Sequence, residues 1–154
     1  MLSSDEVVHR LYAGDPEVQK ALDERFGTLD RTRIAEIVFG NRDELVWLEQ
    51  LLHPRVRREY GNWLDQVDAD VAVVEIPLLY ETGAESLFDT VVVITAPEGV
   101  RRSRGREETD LDRRSARLIP DDEKVRQADF AYVNDGTLEE LDEFVASVLE
   151  RLRR

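Results

Sequence analysis

The sequence contains no cysteine, which excludes a disulfide framework, a thiolate zinc site and a cysteine nucleophile. Positive charge is scarce: lysine occurs only at Lys20 and Lys124, and the formal charge is 21 − 34 = −13. A surface this acidic repels phosphate backbones, so non-specific nucleic-acid binding is not expected. No apolar run approaches the ~20 residues of a membrane span, and no basic-apolar leader opens the chain. These absences predict a single soluble, cytoplasmic domain over residues 1–154, with neither nucleic acid nor membrane as a partner.

Signals for helix starts and stops follow one another closely over the first two-fifths of the chain. Residues of the N-cap type stand at Ser3, Asp15, Asp30 and Asn41, and helix-ending glycines at Gly27 and Gly40. Glu6, three residues after Ser3, completes a predicted capping box. At His53-Pro54 we expect a break, because a proline pushes the preceding residue out of the helical region. The pattern therefore predicts five helices, the last running from Pro54 to about Val67.

Short apolar runs then replace the helical pattern. Residues 71–76 and 90–94 are nearly continuous in apolar, β-branched side chains, as expected of strands buried on both faces of a parallel sheet. Residues 130–133 form a third such run. Glu75 lies inside the first, and a buried carboxylate must pair with a cation or be protonated. Strands that alternate with helices predict an α/β fold, with a helical subdomain placed ahead of the second strand.

Ligands of parallel sheets gather at the carboxyl ends of the strands, and Asp5 stands at the first such end. It follows a strand stub at Met1-Leu2 and precedes a predicted helix. Its carboxylate is either a site residue or a local complement to the positive end of that helix. The residue pattern leaves both interpretations open.

An arginine series is the second candidate constellation. It comprises Arg101, Arg102, Arg104, Arg106, Arg113, Arg114 and Arg117. Guanidinium groups match phosphate oxygens, but these arginines could equally pair with the acidic residues interleaved at 107–112 on a solvated helix. His53 is more typical of a cap or a packed side chain than of a ligand, and no metal site is expected.

Several motifs carry a family resemblance when they are read in order. They are Leu2-Ser3-Ser4-Asp5-Glu6-Val7, Leu29-Asp30-Arg31, Val38-Phe39, Trp47-Leu48-Glu49, Leu52-His53-Pro54-Arg55-Val56, Ile76-Pro77-Leu78-Leu79-Tyr80-Glu81-Thr82-Gly83, Asp122-Glu123-Lys124, Ala128-Asp129 and Asn134-Asp135-Gly136-Thr137. Over residues 2–152 the chain resembles the dephospho-CoA kinase family. The resemblance implies a P-loop kinase-like parallel sheet, a helical substrate-binding insertion at about 6–68 and an arginine-rich lid at about 97–127. It also implies transfer of the γ-phosphoryl group of ATP, with Mg²⁺, to the ribose 3′-hydroxyl of dephospho-CoA.

The resemblance also implies roles for individual residues. Asp5 matches the carboxylate that acts as general base or orients the acceptor hydroxyl, whereas Ser3 replaces a second Asp of the family. The residues that match lid arginines, which neutralise phosphoryl charge, are Arg102 and Arg106. Those that match the turn near the adenine are Asn134, Asp135 and Gly136. Those that match the substrate-binding segments are His53, Pro54, Arg55, Pro77, Leu78, Leu79 and Glu81.

One departure from the family concerns the phosphate-binding loop. The family begins with a strand, a G-x-x-x-x-G-K-[ST] loop and a helix, and none of the eight glycines here precedes a lysine. We therefore expect an amino-terminally truncated kinase with an incomplete sheet, inactive or much weakened, and prone to self-association through an exposed sheet edge. The alternatives are a non-catalytic protein that binds CoA or dephospho-CoA and an acidic module that binds a protein partner.

Overall fold

The computed structural model describes residues 1–104 and 118–153. Two units, Met1–Pro77 and Leu78–Arg154, have most of their contacts within themselves. The chain is a mostly helical α/β protein with two small parallel sheets, so the predicted fold class is confirmed. The assignment of one domain with an insertion at 6–68 stays a prediction.

The first unit consists of four helices and one short sheet. Its helices are α1 (Ser4–Gly14), α2 (Pro16–Phe26), α3 (Arg31–Gly40) and α4 (Arg42–Leu64), and its strands are β1 (Leu2–Ser3) and β2 (Val74–Glu75). The side chains of Asp15, Asp30 and Asn41 each accept two backbone N–H groups at the start of the next helix, as their sequence context predicts. Gly27 ends α2 at φ +66°, a left-handed conformation that favours glycine.

The predicted capping box at Ser3 is wrong. Ser3 precedes α1, but its side chain makes no cap hydrogen bond. The residue is extended because it belongs to β1, where it pairs in parallel register with Glu75. The start of α1 is therefore determined by the strand before it and not by a local cap.

The core of the first unit is formed by apolar residues from each helix. The least exposed side chains are Val7, Val18, Leu22 and Ile34, at 0 to 1% exposure. Helix α4 contributes a stripe with four-residue spacing, Leu48, Leu52, Val56 and Tyr60, all buried. This stripe packs α4 against α1 and α3.

The predicted break at His53-Pro54 is also wrong, because α4 runs without interruption from Arg42 to Leu64 with Pro54 inside it. Proline lacks an N–H, so the carbonyl four residues earlier loses its helical donor. The carbonyl of Leu51, about one turn before Pro54, accepts a hydrogen bond from Arg55 Nη1 at 2.8 Å. Burial of the stripe on both sides of Pro54 outweighs the local preference that predicted two helices.

Glu75 was expected to be buried, and the structure corrects this as well. Only Val74 and Glu75 of the run at 71–76 form a strand, and the Glu75 side chain is exposed. Side chains alternate along a strand, so the half-buried Val74 directs its neighbour to solvent. No partner or protonation is needed to account for this carboxylate.

Among its described residues, the second unit contains a parallel pair of strands, three α-helices and a 3₁₀ turn. These are a 3₁₀ turn (Glu85–Leu87), β3 (Val92–Thr95), α5 (Glu98–Arg104), α6 (Asp121–Gln127), β4 (Phe130–Val133) and α7 (Leu138–Leu152). Val92 pairs with Phe130 and Thr95 with Val133. Helix α6 packs against β3 and α7 against β4, where the Tyr132 and Phe144 rings stack at 4.9 Å. Thr137 and Glu140 form the predicted capping box of α7.

Strands β3 and β4 are not buried on both faces, contrary to the expectation. Val92 is 41% exposed, and Ile94 and Val133 are each 51% exposed. Among the described hydrophobic residues of this unit, only Ala84 and Val148 are buried. A pair of strands covered by α6 and α7 leaves part of its apolar surface in contact with solvent.

Candidate active site

Asp5 is exposed in the first turn of α1, directly after β1. The preceding residue, Ser4, is buried and shares a hydrogen bond with the hydroxyl of Tyr60 on α4. Burial raises the pKa of Tyr60, and the Ser4 hydrogen bond opposes this. The negative charge of Asp5 raises the pKa further, whereas the positive charge of Arg57 lowers it. The Tyr60 hydroxyl thus contacts Ser4, the residue directly before Asp5 in the sequence.

Tyr60 and Arg57 were missed in the sequence because they follow Pro54. A break at Pro54 places them on a separate helix of unknown direction. A continuous α4 instead extends the apolar stripe to Tyr60 and carries it to the start of α1. The four-residue spacing from Leu48 to Tyr60 was the available signal.

His53 lies half-buried on α4, between Glu49 and Arg57 on neighbouring turns. Burial lowers the pKa of His53; the charge of Glu49 opposes this, and that of Arg57 adds to it. The imidazole is therefore mostly neutral at pH 7 and can donate or accept a hydrogen bond. It would not attract an anion by charge.

Arg55, a predicted substrate contact, makes three interactions within the first unit. Its guanidinium lies 3.0 Å from Glu17, 3.7 Å from Asp15 and 2.8 Å from the Leu51 carbonyl. These contacts join the start of α2 to the middle of α4. A role of Arg55 towards substrate stays a prediction, as do those of His53 and Pro54.

The predicted substrate segment that begins at Pro77 forms a turn. Pro77 and Leu78 are exposed, Leu79 is half-buried, and the Leu78 carbonyl accepts the Thr82 N–H at 3.1 Å. Gly83 ends the turn at φ +63°, in the left-handed region where a side chain is unfavourable. The turn leaves Pro77 and Leu78 accessible to a ligand.

Glu81, in contrast, points into the protein. Its Oε1 lies 2.6 Å from Lys124 Nζ and accepts the Ile119 N–H at 3.1 Å, and both charged side chains are only 13 to 14% exposed. Burial raises the pKa of Glu81, but hydrogen bonds from Lys124 and from two backbone amides, with the Lys124 charge, bring it below its usual range. The carboxylate is thus ionised and paired inside the second unit.

The arginine series divides among different contacts. Arg102 Nε donates to Glu98 Oε1 at 3.0 Å within α5, an exposed pair with an acidic residue other than those predicted at 107–112, which lie outside the described residues. Arg104 Nη1 lies 3.5 Å from the Asn134 carbonyl. Arg106 and the arginines at 113, 114 and 117 lie outside the described residues. The catalytic roles of Arg102 and Arg106 stay predictions.

A pocket of about 270 Å³ opens where β3 and β4 end. It is lined by Ile94, Thr95, Ala96, Arg101, Asp121 and Asn134. The Asn134 N–H donates to the Thr95 carbonyl at 2.7 Å, and Arg101 Nη1 pairs with Asp121 at 3.4 Å. The pocket is smaller than the roughly 300–1,000 Å³ of typical small-molecule sites, and polar and charged side chains stand beside its two apolar residues, Ile94 and Ala96.

The capping box of α7 shapes the rest of the turn at 134–136. Asp135 and Gly136 are exposed, and a side chain at Gly136 would collide with the Glu140 carboxylate. That carboxylate accepts the Thr137 N–H at 2.8 Å. A Cβ at position 136 would displace the Glu140 carboxylate and so weaken the capping box of α7.

Neither a metal cluster nor a membrane helix is found in residues 1–104 and 118–153. No group of three or more His, Asp or Glu side chains there is placed to hold an ion. None of the helices in the same ranges is long and apolar enough to cross a bilayer.

Known proteins of one family match nearly the whole chain. The family model described as dephospho-CoA kinase matches residues 6–140. A dephospho-CoA kinase of Rhodopseudomonas palustris is 36% identical, covering 98% of this chain and 82% of that protein. One from Mesorhizobium japonicum is 38% identical, covering 97% and 82%.

Solved structures match over the same extent. The crystal structure of TT1252 from Thermus thermophilus has a TM-score of 0.79 and 34% identity, covering 98% of this chain and 83% of that one. A dephospho-CoA kinase from Campylobacter jejuni, 24% identical, has a similar fold with a TM-score of 0.68.

Proposed function

The chain belongs to the dephospho-CoA kinase family, and from this membership we propose that it serves transfer of the γ-phosphoryl group of ATP to the ribose 3′-hydroxyl of dephospho-CoA. The observation that carries the acceptor half of this proposal is the position of Asp5. Its exposed carboxylate stands just after β1, next in sequence to Ser4, which shares a hydrogen bond with Tyr60. The reaction takes place in the cytoplasm under this proposal.

Phosphoryl transfer asks little covalent chemistry of the protein, so positioning and charge carry the catalysis. Asp5 accepts a hydrogen bond from the acceptor hydroxyl and orients it for attack. The Ser4–Tyr60 hydrogen bond and burial of Ser4 restrict the backbone next to Asp5. The accessible residues Pro77 and Leu78 contact the rest of dephospho-CoA.

The nucleotide occupies the pocket at the ends of β3 and β4, with Asn134 and Arg101 beside the base. Arg102 and Arg106 neutralise charge on the transferring oxygens, for which Arg102 must exchange its Glu98 contact for phosphate. Mg²⁺ would be supplied with ATP and would neutralise charge on its phosphate oxygens.

The 154 residues contain no G-x-x-x-x-G-K-[ST] loop, whose backbone amides and lysine surround the phosphates of ATP. Arginines can neutralise phosphate charge but do not form that pocket. We therefore expect this chain to transfer phosphate weakly or not at all. The alternative is a protein that binds CoA or dephospho-CoA without catalysis, and the substrate contacts at 53–55 and 77–79 would serve it equally.

Calorimetry with dephospho-CoA and with Mg·ATP, together with an assay of 3′-phosphorylation, tests the proposal. If the chain acts as a kinase, we expect saturable binding of both ligands and measurable 3′-phosphorylation. Saturable binding of dephospho-CoA with no turnover favours the alternative. Absence of binding for both ligands contradicts both readings.

Asp5→Asn tests the acceptor role, with Glu6→Gln as a matched control in the same exposed turn of α1. If the parent chain has a measurable turnover, loss of the carboxylate should lower it by about 10²- to 10⁴-fold and leave the dissociation constant of dephospho-CoA within about twofold. Glu6→Gln should change neither. An equal, measurable turnover of Asp5→Asn and the parent chain would remove Asp5 from the mechanism.

Self-association through β3 and β4 is also part of the proposal. Exposed strands with apolar side chains tend to pair with other chains, and Val92, Ile94 and Val133 provide such a surface. Sedimentation should show a molecular mass that rises with concentration. A strictly monomeric chain at all concentrations would contradict this part.

A further inference from the structure

A charged pair without an assigned role lies inside the second unit. Glu81 follows the first unit's last strand by a short turn, and Lys124 lies on α6. Their 2.6 Å contact is almost inaccessible to solvent, and Glu81 also accepts the N–H of Ile119, just before α6. The Glu81 carboxylate therefore contacts both a residue just before α6 and Lys124 in the middle of that helix.

The pair is costly to bury. Glu81 Oε2 is buried and has no hydrogen-bond partner among the described residues. In a buried ion pair that is only half satisfied, desolvation offsets part of the attraction, so the pair stabilises the chain less than its charges alone would. This leaves a positional role to be tested beside the stabilising one.

Helix α6 connects the pair to the pocket at the ends of β3 and β4. Asp121 lies three residues before Lys124, on the same side of α6. Its carboxylate pairs with Arg101 on α5 at 3.4 Å, and both line the pocket. A displacement of α6 would therefore move Asp121 and release Arg101 from the pocket wall.

We propose that Glu81 and Lys124 are positioning residues for the nucleotide pocket: their buried pair holds α6 where Asp121 keeps Arg101 at the pocket. This inference rests on the proposed nucleotide role of that pocket. It differs from the substrate contact that the family resemblance implies for Glu81, since the carboxylate is turned into the protein.

The same helix offers a matched control. Arg126 pairs with Asp122 at 2.9 Å, but these side chains are 67% and 71% exposed and neither lines the pocket. Arg126→Met thus removes a cation of α6 without disturbing the buried pair. Lys124→Arg keeps the charge and should retain most of the function.

Amide hydrogen exchange of the ligand-free chain tests the positional claim directly. Glu81→Gln and Lys124→Met should each speed exchange in both α6 and α5 by about tenfold and leave α7 unchanged. Arg126→Met should match the parent chain. Unchanged exchange in α5 would overturn the proposal, whether or not any nucleotide binds.

Titration with Mg·ATP and with dephospho-CoA supplies the functional readout. Glu81→Gln should weaken ATP binding by about tenfold and leave dephospho-CoA binding unchanged. Asp121→Asn, which leaves the buried pair intact, should reproduce the loss if Glu81→Gln fails to fold. Weaker dephospho-CoA binding with normal ATP binding would show direct substrate contact by Glu81 and refute positioning. If the parent chain binds neither Mg·ATP nor dephospho-CoA, the proposed function is refuted. In that case the hydrogen-exchange experiment still decides whether Glu81 and Lys124 hold α6 in place.

Discussion

Replacement of Pro54 by alanine should make the first unit more stable, although the family resemblance places Pro54 among the substrate-binding residues. Pro54 lies inside α4 and its ring is exposed, so substitution removes little buried surface. Alanine restores an N–H that can donate to the carbonyl of Gln50, four residues earlier. The helix is already continuous, so the substitution needs no change of topology.

The magnitude follows from opposing contributions. Proline in a helix interior is about 3 kcal/mol less favourable than alanine. The unfolded chain gains freedom when proline is removed, which returns about 0.4–1 kcal/mol. Leu52 and Val56, two residues on either side of Pro54, are buried, so any backbone adjustment at this position costs some of their packing. The expected net gain is about 1–2 kcal/mol, or roughly 3–6 °C in the unfolding midpoint.

Tryptophan fluorescence can follow this unit alone, because both tryptophans, Trp47 and Trp63, lie on α4 on either side of Pro54. Urea unfolding should show one shifted transition, and Arg58→Ala, at an exposed position of the same helix, should shift it by less than about 0.5 kcal/mol. A loss of stability in Pro54→Ala would refute the argument from a continuous helix. Weaker dephospho-CoA binding by the more stable variant would support the substrate role of Pro54.

Three further outcomes follow from the same structure. Ile34→Ala should cost the first unit about 2–5 kcal/mol, because Ile34 is 1% exposed; a loss below about 1 kcal/mol in urea unfolding would contradict the core assignment. Thr137→Ala should cost about 1 kcal/mol by removing the cap of α7, seen as faster amide exchange in that helix alone. The pKa of Glu81 is lower folded than unfolded, so its pairing stabilises the chain above about pH 4.3 and this contribution falls as pH drops through the folded pKa. The urea midpoints of Glu81→Gln and the parent chain should therefore converge in acid, and a constant difference down to pH 3 would argue against an ionised Glu81.

Local features could be read from the sequence because their physical cause is local. Asp15, Asp30 and Asn41 cap helices through the N–H groups two and three residues ahead. The capping box at Thr137 depends equally on near neighbours. The alternation of helices with apolar runs was enough to predict the α/β fold class. The order of the motifs along the chain was enough to identify the family.

The tertiary structure decided the features in which distant residues compete with local preference. Packing of the stripe from Leu48 to Tyr60 carries α4 through Pro54, and this brings Tyr60 to Ser4, the residue before Asp5. Glu75, in the short strand β2, is exposed to solvent. Glu81 lies in a turn that the sequence gives no reason to bury, yet its side chain is buried against Lys124. Burial and charge pairing across the fold have no signature in a local pattern. The sequence by itself therefore determined the elements and the family, and the packing of those elements decided which charged side chains face a ligand and which hold the protein together.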